Sequence, residues 1–92
     1  MTNDVYIKSD IAYSAEINGR TVVLNMETRR FYNLDGVGCL IWQLLENPST
    51  VDDIAAGVSK ECEVPVSECI DDVAKFIDSL CTKNLITKIT EV

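Results

Sequence analysis

The chain contains no histidine, so it has no side chain whose unperturbed pKa lies near neutrality. It has only four glycines, and none of them builds a Gly-rich phosphate loop or a Gly-x-Ser-x-Gly nucleophile turn. The adjacent carboxylates Asp52-Asp53 and Asp71-Asp72 point about 100° apart on a helix. They therefore serve as first-turn or solvated charges rather than acid/base dyads. No catalytic residue, metal site or cofactor is expected. The four cysteines, Cys39, Cys62, Cys69 and Cys81, form no Cys-x-x-Cys pair and stand 23, 7 and 12 residues apart. Zinc ligands usually come in close pairs, and a disulfide framework needs an oxidising compartment. The thiols are read instead as small buried hydrophobes. Apolar runs are short: Val22–Leu24 and Gly38–Trp42 fall far below the ~20 residues of a membrane span, and no basic-then-apolar signal opens the chain. A soluble, cytoplasmic protein without a membrane partner is expected. Basic residues are scarce, 8 Lys+Arg against 15 Asp+Glu for a net charge of -7, which disfavours nucleic acid as a partner.

What is present is ordinary globular composition, 47% hydrophobic and 25% charged over 92 residues, and one folded domain spanning 1–92 is expected. Around Asn18-Gly19, the alternating Tyr13, Ala15 and Ile17 and the β-branched run Thr21–Leu24 predict a tight hairpin. Asn25–Arg29 is of turn length, and Arg30–Leu34 returns as the third strand of a meander. Val5–Ile7 and Ile86–Ile89 are candidates for further short strands.

From Gly36 the apolar period becomes helical, with Val37, Leu40, Ile41, Leu44 and Leu45 on one stripe until Asn47-Pro48. Thr50 and Asp53 resemble a capping box for a second helix that buries Val51, Ile54, Ala55 and Val58 and ends near Lys60. A third runs from Pro65-Val66 to about Lys83 with Cys69, Val73, Phe76, Ile77 and Leu80 on its stripe, and Asn84 suits a left-handed cap. The order is α+β: a three-stranded antiparallel β-meander followed by three α-helices, a winged helix-turn-helix composition.

A winged helix raises the possibility of DNA binding, and charge decides against it. Between Glu46 and Asp78 there are nine acidic and two basic residues. The third helix, where groove-reading side chains would sit, carries Glu68, Asp71, Asp72 and Asp78. Protein or peptide recognition remains. Arg30–Leu34, last in the meander, offers an open edge able to accept a foreign strand, with Arg29 and Arg30 on one wall and Asp71, Asp72 and Asp78 near the other. Alternatively, the two arginines simply protect that edge.

The run Val23–Gly38 resembles the PqqD-like family pattern of strand, turn and strand closing on Leu-Asn-x-x-Gly, with Asp35 where asparagine is usual. Ile41-Trp42-Gln43-Leu44-Leu45 is similar to the x-Trp-x-Leu-Leu that follows. Thr50–Ile54 resembles the family's second-helix start, and Asp72–Leu80 its third helix, with Asn84 where glycine is usual. The similarity spans roughly residues 10–88. It implies a precursor-peptide recognition element of ribosomally made, modified peptides, binding a leader by strand addition and presenting the core peptide to a maturation enzyme. Most similar are the stand-alone leader-binding proteins of lasso-peptide pathways, which work with a leader peptidase. The alternatives are the peptide chaperone of a radical SAM enzyme in quinone-cofactor biosynthesis, or an adaptor using the acidic helical face. Carried over by position, Arg30, Phe31, Tyr32, Asn33 and Leu34 form the pairing strand, and Asp72, Val73, Lys75, Phe76 and Ser79 the helix wall. Phe31, Leu34, Val73 and Phe76 also lie at apolar-stripe positions suited to the core, and Trp42 is read as core.

Overall fold

A computed structural model describes residues 4–89. In chain order these are β1 (Val5–Lys8), β2 (Ala12–Ile17), β3 (Arg20–Asn25), β4 (Arg30–Leu34), α1 (Gly36–Leu44), α2 (Val51–Cys62), α3 (Val66–Thr82) and β5 (Ile86–Ile89). The predicted hairpin is present as β2–β3. Asn18 and Gly19 take φ of 52° and 79°, the two positive values that a type I′ loop requires, and Ile17 stands opposite Arg20. β3 and β4 are joined through the turn at residues 26–29, organised by Asn25. Its Oδ1 accepts the N–H groups of Glu27 (2.9 Å) and Thr28 (3.1 Å), while its Nδ2 donates to the Lys83 carbonyl at 3.0 Å. Asn25 is only 1% exposed, and a buried polar group of this kind is tolerated because its bonds are made.

The helices begin and end where their local chemistry directs. The capping box of α2 is complete: Asp53 N–H donates to Thr50 Oγ1 at 3.1 Å, and Thr50 N–H donates to Asp53 Oδ2 at 3.2 Å. After α3, Asn84 takes φ 59°, and Leu85 N–H reaches back to the Leu80 carbonyl at 3.0 Å. This is the left-handed cap expected of an asparagine there. It turns the chain into β5, which pairs antiparallel with β1 rather than extending the meander. The link between α1 and α2 is tied to β1 by paired Tyr6–Ser49 main-chain bonds of 2.8 and 3.1 Å. A Lys8–Glu46 ion pair lies beside it.

One core joins all these parts. Val23 and Leu34 from the sheet meet Ile41, Trp42 and Leu45 of α1, Ile54, Ala55 and Val58 of α2, and Val73, Ile77 and Leu80 of α3. Each such valine, leucine or isoleucine contributes about 1.5–3 kcal/mol by leaving water. Trp42 is core as expected, with Lys8 Nζ 4.6 Å from its ring centroid. Three expectations need correction. Cys62, read as a buried thiol, is exposed at the end of α2. Val37, assigned to the buried stripe of α1, is 47% exposed because it sits in the helix's first turn, at the mouth of a groove. Phe31, weighed as core, is 66% exposed, since the pleat alternates and the inward positions of β4 fall to Tyr32 and Leu34. With Tyr13 and Ile17 it leaves the outer face of the meander uncovered. Among the described residues, no helix is long and apolar enough to cross a membrane.

Candidate peptide-binding site

The hairpin register decides which main-chain groups of β4 are free. In a two-residue loop the flanking pair Ile17–Arg20 exchanges both hydrogen bonds, and the pattern alternates from there. Arg20, Val22 and Leu24 thus turn their N–H and C=O groups toward β2. Met26 continues this side, its N–H donating to the Ile11 carbonyl at 2.8 Å. Thr21, Val23 and Asn25 must then bond to β4, opposite Leu34, Tyr32 and Arg30. Phe31 and Asn33 are left facing the other way. Among the described residues β4 pairs with β3 alone, so the N–H and C=O of Phe31 and Asn33 line an open edge.

Helix α3 runs past this edge in the opposite sense. At its end, Lys83 Nζ lies 5.4 Å from the Tyr32 ring centroid and donates to Ser79 Oγ at 2.8 Å. In its middle, the Phe76 ring rests on the first turn of α1, where a Cβ built on Gly38 would come within 3.0 Å of Phe76 Cζ. The absence of a side chain at Gly38 therefore lets the helices approach. Beyond Phe76 a groove of about 530 Å³ opens between α1, α2 and α3. Its walls are apolar, with Val37, Gly38, Val64, Cys69, Val73 and Phe76, while Cys62, Glu68 and Asp72 also line it. No lining residue is basic, and neither ion pair among the described residues involves Glu68 or Asp72.

The residues singled out from sequence thus divide. Phe31 and Asn33 supply the edge, and Arg30 is exposed beside it. Tyr32 and Leu34 face inward, where the Tyr32 ring meets Lys83, whose Nζ in turn donates to Ser79 Oγ. Asp72, Val73 and Phe76 come together in the groove, with Val73 also a core residue. Lys75 is exposed and lines neither feature. Asp78, placed near the acidic wall by sequence, lies on another side of α3 with Tyr6, Cys81 and Lys88. Burial, and then Asp78, push the Cys81 thiol up from its ordinary pKa. Sequence reasoning missed Lys83, Val37, Gly38, Cys62 and Glu68. The spacing Ser79–Lys83, i to i+4 on one helix face, is the signal that could have found Lys83.

Comparison with known proteins gives this geometry a context. Residues 20–86 match the family described as coenzyme PQQ synthesis protein D (PqqD). A relative from Rhizobium meliloti (strain 1021), named PqqA binding protein, is 30% identical over 70 residues, covering 76% of this chain and 69% of the relative. The chain belongs to the PqqD family. Its fold recurs in TbiB1, solved in complex with the TbiA(beta) leader peptide, at TM-score 0.82 and 29% identity over 92% of this chain and 99% of that one. A lasso peptide synthetase B1 complexed with its leader peptide shares the PqqD-type fold at TM-score 0.78 and 21% identity, over 89% and 96% of the two chains.

Proposed function

We propose that this PqqD-family chain is a non-catalytic peptide-binding domain. It captures the leader region of a ribosomally made precursor peptide by strand addition at β4, packs it against α3, and delivers it to a maturation enzyme. The observation that carries this reading is the open edge of β4, with its outward Phe31 and Asn33 main-chain groups, which ends where an apolar groove opens between the helices. Main-chain bonding at such an edge tolerates many peptide sequences, and side-chain pockets add selectivity. The similarity to TbiB1, solved with a leader peptide, along almost the whole of both chains supports leader capture, and the enzyme served is taken to be a lasso-peptide leader peptidase. Holding the leader makes delivery of the core peptide partly intramolecular, at an effective concentration set by the spacer between them.

A second reading, a chaperone presenting a precursor to a radical SAM enzyme in PQQ-type biosynthesis, is favoured by the relative whose name says that it binds PqqA. Nucleic acid is a poor partner for either, since Glu68, Asp71, Asp72 and Asp78 are exposed along α3 and phosphate would be repelled. Calorimetric titration with leader peptides from lasso-type and PQQ-type precursors separates the readings. Micromolar or tighter binding to one class identifies the pathway, whereas absence of binding to every leader by folded protein moves the assignment to an adaptor working through its acidic helical face.

A further inference from the structure

The groove between α1, α2 and α3 is distinct from the β4 edge, and none of the β4 residues lines it. It begins where the edge ends. Leu34 closes β4, and Val37 and Gly38, in the first turn of α1, form the groove's near wall. Phe76, resting on Gly38, marks the boundary between the stretch of α3 beside Tyr32 and the stretch that walls the groove. Val37 is 47% exposed there, and Val64 and Phe76 are half-buried. The volume, about 530 Å³, falls among clefts that enclose small ligands. Its charged lining groups, Glu68 and Asp72, are both acidic.

Building on the leader-binding reading, we infer that this groove receives one apolar side chain of the bound peptide, just beyond the segment paired with β4 at its Leu34 end, and that a neighbouring lysine or arginine of the peptide meets Glu68 and Asp72. The apolar walls gain hydrophobic contact when an apolar side chain enters. These carboxylates, in neither ion pair among the described residues, select the sign of the adjacent charge. In an antiparallel added strand, the better of the two pairings, this anchor lies on the N-terminal side of the paired segment. The leader would therefore be read as a cation-flanked apolar residue followed by a sequence-tolerant strand.

The exposed thiol of Cys62 lines the groove and reports its occupation. A displayed library of random peptides is selected on the intact protein, and binders lost on Asn33→Pro are kept as edge-dependent. The expected binders carry an apolar residue beside lysine or arginine at one end of a β-forming stretch. At saturation they slow alkylation of Cys62 by N-ethylmaleimide at least fivefold, roughly, without protecting Cys81. Joint Glu68→Lys and Asp72→Lys substitution weakens them about fivefold at low salt, and a peptide with its cation changed to glutamate regains the loss. Edge-dependent binders that leave the Cys62 rate unchanged and ignore the charge reversal overturn the groove assignment while leader binding stands. Failure to find any edge-dependent binder to folded protein overturns both.

Discussion

Asn25 shows how far one side chain reaches across this fold. Three hydrogen bonds, two to its own turn and one to the Lys83 carbonyl, place the start of β4 relative to the end of α3, the two elements that flank the proposed peptide. Asn25→Ala leaves the Lys83 carbonyl and two turn N–H groups without this partner, and is expected to cost about 2–3 kcal/mol. Chemical denaturation measures that loss, and an unchanged midpoint contradicts the role. In the sequence Asn25 reads only as a turn residue, because its second partner lies 58 positions away. The cysteines follow the same lesson. Cys39 and Cys69 are buried, Cys39 with its Sγ 2.7 Å from Thr21 Oγ1, but Cys62 is exposed and Cys81 intermediate. Since burial and Asp78 raise the Cys81 pKa, a smaller fraction of it is thiolate at any pH below that raised value. Mass-spectrometric alkylation at pH 8 is expected to modify Cys62 before Cys81, with Cys39 and Cys69 reacting only on unfolding.

Elements were legible wherever their determinants are local. Asn18-Gly19 marked the hairpin, Thr50 with Asp53 the start of α2, and Asn84 the end of α3, and each acts through atoms within a few residues of itself. The pairing of β1 with β5 and the alignment of α3 with β4 depend on residues far apart in the chain, and no local pattern encodes them. The register of β4 separates two proline substitutions. Asn33→Pro removes an N–H from the open edge only and is expected to weaken leader binding about tenfold with stability nearly kept. Tyr32→Pro removes a rung shared with Val23 and is expected to lower stability by about 1–3 kcal/mol. If charge reversal at Asp71 and Asp72 harms partner binding more than Asn33→Pro does, the acidic face and not the edge is the interface.

For the whole molecule, the charge and the placement of the open edge act together. Outside residues 46–78 acidic and basic side chains balance, so the net charge of -7 belongs to that helical segment, which includes the side of the groove formed by Glu68 and Asp72. The α+β order, the acidic helices and the candidate edge strand were legible from composition and period. The groove was not, because it forms where three helices meet around a glycine and a phenylalanine 38 residues apart. Strand addition at β4 is tested most directly by residue-resolved amide hydrogen exchange with and without a bound leader peptide. The N–H groups of Phe31 and Asn33 are expected to exchange freely in the unbound protein and to gain protection of tenfold or more, roughly, on binding, with Tyr32 and Leu34 protected in both states. Protection appearing along β2 or the acidic face of α3, with Phe31 and Asn33 unchanged, contradicts peptide capture at this edge.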